Sequence, residues 1–148
     1  MTATLADARL CLQMRRDILD MVYGAQCGHP GGSLSCVEIL AALYFHAMQI
    51  DPARPAWAER DRFILSKGHA APAYYAALCR RGYFSSNEYK SFRQLNGILQ
   101  GHPDRKRTPG VDASTGSLGQ GASFAVGVAM GERLRGSGVH VYALLGDG

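Results

Sequence analysis

An α/β fold, a parallel sheet flanked by helices, is what the sequence predicts, and three observations predict it. Short apolar runs stand at Phe63-Ile64-Leu65 and over residues 139–145, and the chain between them has helical character. Strands separated by helices pair in parallel and are covered on both faces. Each run ends in a turn of small residues, Lys67-Gly68-His69 and Gly146-Asp147-Gly148. Turns at the carboxyl ends of parallel strands are where such sheets bind ligands.

The elements follow in order. Over residues 3–23, Leu5, Leu12, Ile18, Leu19 and Val22 trace a helical stripe that Gly24 closes. Gly28-His29-Pro30-Gly31-Gly32 reads as a loop, because three glycines and a proline do not sustain a helix. Ser35 with Glu38 then forms a capping box that opens a second helix running to about residue 48. A polar, proline-bearing connection over 51–59 leads into the first strand. The alanine-rich segment 70–81 is a helix ended by Gly82, and Ser85 with Glu88 starts another that fades by Asn96. Residues 96–117 form a long loop carrying His102. Loops of that length are functional or mobile. Over 121–135 a helix presents Ala122, Ala125, Gly127, Ala129 and Gly131 as a smooth flank. Each interior glycine costs about 1 kcal/mol, so this flank is expected to pack closely against a neighbour.

The 148 residues suit one domain spanning 1–148, short of the roughly 250 to 300 at which chains divide. Apolar residues make up 47% and charged residues 19%, which excludes disordered, collagen-like and coiled-coil chains. Sixteen basic against twelve acidic residues leave a net charge of +4, spread along the chain, a balance compatible with phosphorylated ligands. No stripe of basic and aromatic residues appears, so nucleic acid is not an expected partner, and Arg105-Lys106-Arg107 reads as a solvated loop. No stretch approaches the roughly 18 uninterrupted apolar residues of a membrane helix. The N-terminal region, with Asp7, Arg9, Arg15 and Arg16, lacks signal-peptide architecture, and a cytoplasmic location without membrane partners is expected. Cys11, Cys27, Cys36 and Cys79 contain no C-x-x-C pair and are expected to be reduced, mostly buried thiols.

Three local features carry chemistry. Gly116-Ser117-Leu118-Gly119-Gln120-Gly121 places three glycines at a helix entrance, where free N–H groups and the positive end of the helix dipole face a polar or anionic ligand. The pattern is neither a Walker A loop nor a Rossmann fingerprint, and alone it also fits a plain tight turn. Asp147 between two glycines after an apolar strand offers a carboxylate beside exposed amides, which suits Mg²⁺ bridging to phosphate, although a simple strand-ending turn has the same look. His29, His69 and His102 all lie in glycine or proline loops, where imidazoles can donate to hydroxyls and phosphate oxygens or shuttle protons. Their spacing matches no local zinc pattern.

Taken together, GHPGGS at 28–33, DRFILSKGHA at 61–70, QGHPD at 100–104, STGSLGQG at 114–121 and LLGDG at 144–148 occur in this order. The chain resembles the N-terminal part of transketolase from about residue 10 onward, and looks most like the split bacterial and archaeal form, in which two polypeptides make one enzyme. The resemblance implies the thiamine diphosphate-binding fold, its diphosphate-binding domain here incomplete at the C-terminus. It implies thiamine diphosphate and Mg²⁺ as cofactors and transfer of a two-carbon ketol unit from a ketose phosphate to an aldose phosphate. Asp147 would ligate Mg²⁺, the Gly148 amide would meet the diphosphate, and Gly116, Ser117 and Leu118 would lie against the cofactor rings. His69 would approach the cofactor, and His29 and His102 would contact donor hydroxyls or assist proton transfers.

Two departures accompany this resemblance. Ser117 stands where many members carry proline, and these 148 residues do not include the family's later metal-site asparagine or its pyrimidine-binding domain, so either a partner polypeptide supplies them or the residues are expected to be a fragment of a longer gene product. The expected partner is therefore a C-terminal subunit or section, with hetero- or homo-oligomeric assembly and sugar phosphate substrates. An unpaired sheet edge and exposed helix flanks are expected to leave the chain poorly stable alone. The alternative is a non-catalytic remnant or interaction module that keeps the cofactor-facing loops.

Overall fold

The computed structural model describes residues 5–146; Asp147 and Gly148 lie outside the described residues. Helix α1 (Leu5–Ala25) leads to α2 (Pro30–Leu34) and α3 (Val37–Ala42), which continues into a π-helical turn, Leu43–Ala47. Strand β1 (Arg62–Leu65) follows, then a 3₁₀ turn (Gly68–Ala70), α4 (Ala71–Arg81), a second 3₁₀ turn (Ser86–Ser91), a long irregular stretch, α5 (Gln120–Arg135) and β2 (Val141–Leu144). The two strands pair in parallel, in register from Arg62 with Val141 to Leu65 with Leu144.

Alternation along β1 divides the interior, because successive side chains leave a strand on opposite faces. Phe63 and Leu65 join the large core formed with α1, α3 and α4, whereas Ile64 packs with Ala113, Ala125 of α5 and Val141. The sheet is thus covered on both faces, as predicted. Asp61 fixes where the strands begin: its carboxylate accepts from Gln49 N and His140 N, each at 2.8 Å.

Helix α1 turns a different face inward from the one its leucines suggest. Met14, Asp17, Ile18 and Met21 are buried, while Leu12 and Leu19 are about half exposed. A carboxylate is tolerated on the buried face because Arg80 binds Asp17 bidentately, at 2.6 and 2.5 Å, and Tyr89 Oη donates to it at 3.0 Å.

Two local expectations are corrected. The glycine-proline segment is partly helical: Pro30 occupies the first turn of α2, where its missing N–H costs nothing, and Ser33 Oγ bonds back to His29 O at 2.9 Å. The Ser35–Glu38 capping box does not form. Ser35 Oγ donates to Gly32 O, and Glu38 pairs instead with Arg15 at 2.5 Å. Gly82 ends α4 in the left-handed region, φ +102°, as predicted, and the Ser85 hydroxyl accepts from Asn87 N at the start of the second 3₁₀ turn.

The long connection is irregular but firmly held. Adjacent tyrosines of α4, both fully buried, send their hydroxyls into it: Tyr74 to Gly110 O at 3.1 Å, and Tyr75 to Gln100 O at 2.8 Å and His102 O at 3.1 Å. Asp112 accepts from Phe63 N at 2.8 Å and from Arg60 at 2.6 Å, with both charged side chains under 10% exposed. All four cysteines are free, yet only Cys36 is buried and Cys27 is exposed, so the expectation of mostly buried thiols does not hold. No helix among the described residues is long and apolar enough to cross a membrane.

Candidate functional site

The carboxyl end of β1 runs into Ser66, Lys67, Gly68 and His69, and three other segments close on this turn. Gly121, in the first turn of α5, lies so near that a Cβ there would stand 2.6 Å from Ser66 Cα; only glycine lets the helix start against the strand end. A Cβ on Gly68 would stand 2.9 Å from the backbone of Thr115 and Gly116. Thr115 N in turn donates to Pro103 O at 3.2 Å, which couples the His102 segment to the glycine turn.

The histidines meet on this rim. His29, preceding α2, and His69 place their rings edge to face with centroids 5.3 Å apart. His102 abuts Gly116, where a Cβ would be 3.3 Å from its ring. Burial holds the His69 imidazole below its ordinary range, and His29, Lys67 and His102 push the same way. His102 is also lowered, by burial first and then by Arg93 and His29. Positive neighbours and partial desolvation both disfavour imidazolium, so His69 and His102 are neutral at neutral pH, each ring with one donor and one acceptor nitrogen.

Beside them, Ser114–Ser117, Gln120, Gly121 and Phe124 line a cleft of about 420 Å³. Gly119 precedes α5 with φ +84°, and no side chain caps the helix; the amide of Gln120, its first residue, makes only a long contact to Ser117 O at 3.4 Å. Thr115 Oγ1 is buried without a hydrogen-bond partner among the described residues. Uncapped amides, an orphaned hydroxyl and a cradle that a Cβ would fill fit an anionic cofactor resting on this turn. A larger groove, about 640 Å³, runs elsewhere, between α5 and residues 105–112.

Of the residues the sequence singles out, the structure brings His29, His69, His102 and Gly116 together. Ser117 lines the cleft, and Leu118, next to it in the chain, is 65% exposed. Asp147 and Gly148, the metal and diphosphate residues of the resemblance, lie outside the described residues, among which no group of three or more potential metal ligands occurs. His46 and His140 have other work: His46 bonds Asp7 at 2.7 Å, and His140 sits beside Asp61 at the start of β2. Sequence reasoning passed over Lys67 and Thr115, although both lie within the motifs that carry the resemblance.

A parallel sheet whose strand-end turn gathers three histidines and a glycine-rich helix entrance defines a cofactor-binding domain of the transketolase type. The family model described as "Transketolase, thiamine diphosphate binding domain" matches residues 6–147, and the chain belongs to that family. It is 47% identical over 135 residues to the 6-deoxy-6-sulfo-D-fructose transketolase subunit SqwG of Clostridium sp. (strain MSTE9), covering 91% of this chain and 49% of that protein. It is 40% identical to an apulose-4-phosphate transketolase subunit of Phocaeicola vulgatus, covering 90% and 47% respectively. Transketolase from Campylobacter jejuni superposes with a TM-score of 0.93 at 36% identity, over 99% of this chain and 24% of that one. The chain thus spans about half the length of the subunit relatives it matches.

Proposed function

We propose that the chain is the N-terminal part of a transketolase diphosphate-binding domain. In this reading it serves thiamine diphosphate- and Mg²⁺-dependent transfer of a two-carbon ketol unit between sugar phosphates, and acts with a C-terminal section or partner subunit. The observation that carries the reading is the convergence of His29, His69 and His102, from three separate segments, beside the Gly116–Gly119 turn. Relatives named as transketolase subunits support the partner requirement.

Thiamine diphosphate, when bound, supplies the carbon nucleophile and the sink for the electron pair released on bond cleavage. This chain would supply geometry and protons. Gly116, Ser117 and Leu118 would bear on the cofactor rings, and the open amides at the α5 entrance add positive potential to the turn. His69 would meet the cofactor as a neutral imidazole, while His29 and His102 would hold donor hydroxyls and take or return their protons. Asp147 and the Gly148 amide would hold Mg²⁺ and the diphosphate. Free cysteines accord with a cytoplasmic setting.

Calorimetry with thiamine diphosphate and Mg²⁺ tests the reading, first on this chain and then on its mixture with a C-terminal transketolase subunit. Binding and ketol transfer appearing with the partner support it. Silence in both conditions would overturn it in favour of a non-catalytic module.

A further inference from the structure

We propose that Lys67 is a positioning residue for His69: by holding the Gly32 carbonyl it fixes the α2 turn against the His69 ring and keeps that ring beside His29. The catalytic meaning of this role rests on the function proposed above; the role itself does not.

Lys67 Nζ reaches from the turn after β1 to α2, donating to Gly32 O at 3.1 Å and to Ser35 Oγ at 3.2 Å. Among the described residues no carboxylate forms an ion pair with it. A half-buried ammonium without a counter-ion is desolvated at a cost, and here it is satisfied by a carbonyl and a hydroxyl of the opposite segment. Gly32 is the contact through which the ammonium acts, because a Cβ there would stand 2.9 Å from His69 Nε2. Any drift of the Gly32 backbone therefore moves the wall on which the ring rests, and with it the 5.3 Å separation from His29.

The groups facing His69 are His29 ahead of α2, His102 of the long connection, and Lys67 on its own turn, and none is acidic. The same ammonium that holds the turn opposes imidazolium formation, so position and protonation state are coupled.

The test is a proton NMR titration of the full chain, without cofactor, following the His69 ring and its NOE to the His29 ring. Lys67→Met is expected to weaken the NOE and move the His69 midpoint upward; Lys67→Arg is expected to restore both. Lys67→Gln, which keeps a donor but no charge, should retain the NOE and still raise the midpoint, and it serves if the methionine variant does not fold. An NOE of wild-type strength in Lys67→Met, or an unmoved midpoint in Lys67→Gln, would overturn the proposal. In the assembled enzyme, Lys67→Met is expected to weaken thiamine diphosphate binding through the displaced His69 ring, and Lys67→Arg to restore it. If the chain passes the NMR test while the assembly binds no thiamine diphosphate, the functional reading fails and the positioning role stands.

Discussion

The two sides of the sheet are finished to different degrees. On the α1–α4 side, Phe63 and Leu65 are sealed under helices, the α4 helix is buried over its first eight residues, and even the long connection is tied down by Tyr74, Tyr75 and Asp112. On the α5 side, only Gly121 and Ala125 are buried along a sixteen-residue helix, while Val126, Met130 and Leu134 are 60%, 61% and 88% exposed. Of the smooth flank predicted to pack closely, Ala125 is buried, whereas a Cβ on Gly127 or Gly131 meets nothing within 4 Å among the described residues. Rigidity is thus concentrated where the histidines are hung, and the site inherits it from the closed side.

The largest expected effect tests that closure. Asp112→Ala removes the partner of Arg60 and of the Phe63 amide, and breaking a buried pair from one side costs about 3–5 kcal/mol. Urea unfolding of the full chain measures it, and a loss below about 1 kcal/mol would mean that the tyrosine hydroxyls and apolar contacts hold the connection without Asp112. The contrast along α5 comes next. Gly121→Val drives side-chain atoms into Ser66 and should cost about 1–3 kcal/mol, whereas Gly127→Ala, filling open space in a helix, should add about 0.5–1 kcal/mol. Destabilisation by Gly127→Ala in the same assay would show that the flank is covered in solution.

The smallest effect is electrostatic, because the histidines keep contact with solvent. His69 and His102 titrate below the ordinary value of 6.5 in the fold, so the unfolded chain binds more protons as pH falls. Their contribution is intact above about pH 6.5 and is lost on acidification through that value toward the lower folded ones. Melting temperatures across this window should fall with pH, and the slope should flatten in the His69→Gln, His102→Gln double variant. An unchanged slope would place the responsible groups elsewhere.

Strands, the α4 terminator and the α5 boundaries were legible because short-range rules decide them: an apolar run, a glycine forced left-handed, a small-residue helix entrance. The α1 face was misread because Asp17 occupies a core position, which only the distant Arg80 makes tolerable. The capping box failed for a similar reason, its glutamate claimed by Arg15 on another helix. The connection looked free in sequence, yet two adjacent tyrosines in an alanine-rich helix were an available signal, since buried phenols seek acceptors. Of the site, the three histidines and the glycine turn were legible as a set of motifs. Their distances, and the reach of Lys67 across to α2, depend on tertiary placement.

Parallel pairing also dictates when the site comes into being. The crossover from Leu65 to Val141 carries α4, the whole connection and α5, so the strand ladder closes only after a large share of the chain has been ordered. The α1–α4 wall, tied by Asp17 to Arg80 and Tyr89, does not span that crossover, so the shelf that carries Gly116 and the α5 entrance is expected to arrive last. Stopped-flow refolding should accordingly show Gly121→Val acting mainly on the unfolding rate, the kinetic mark of a contact made after the barrier.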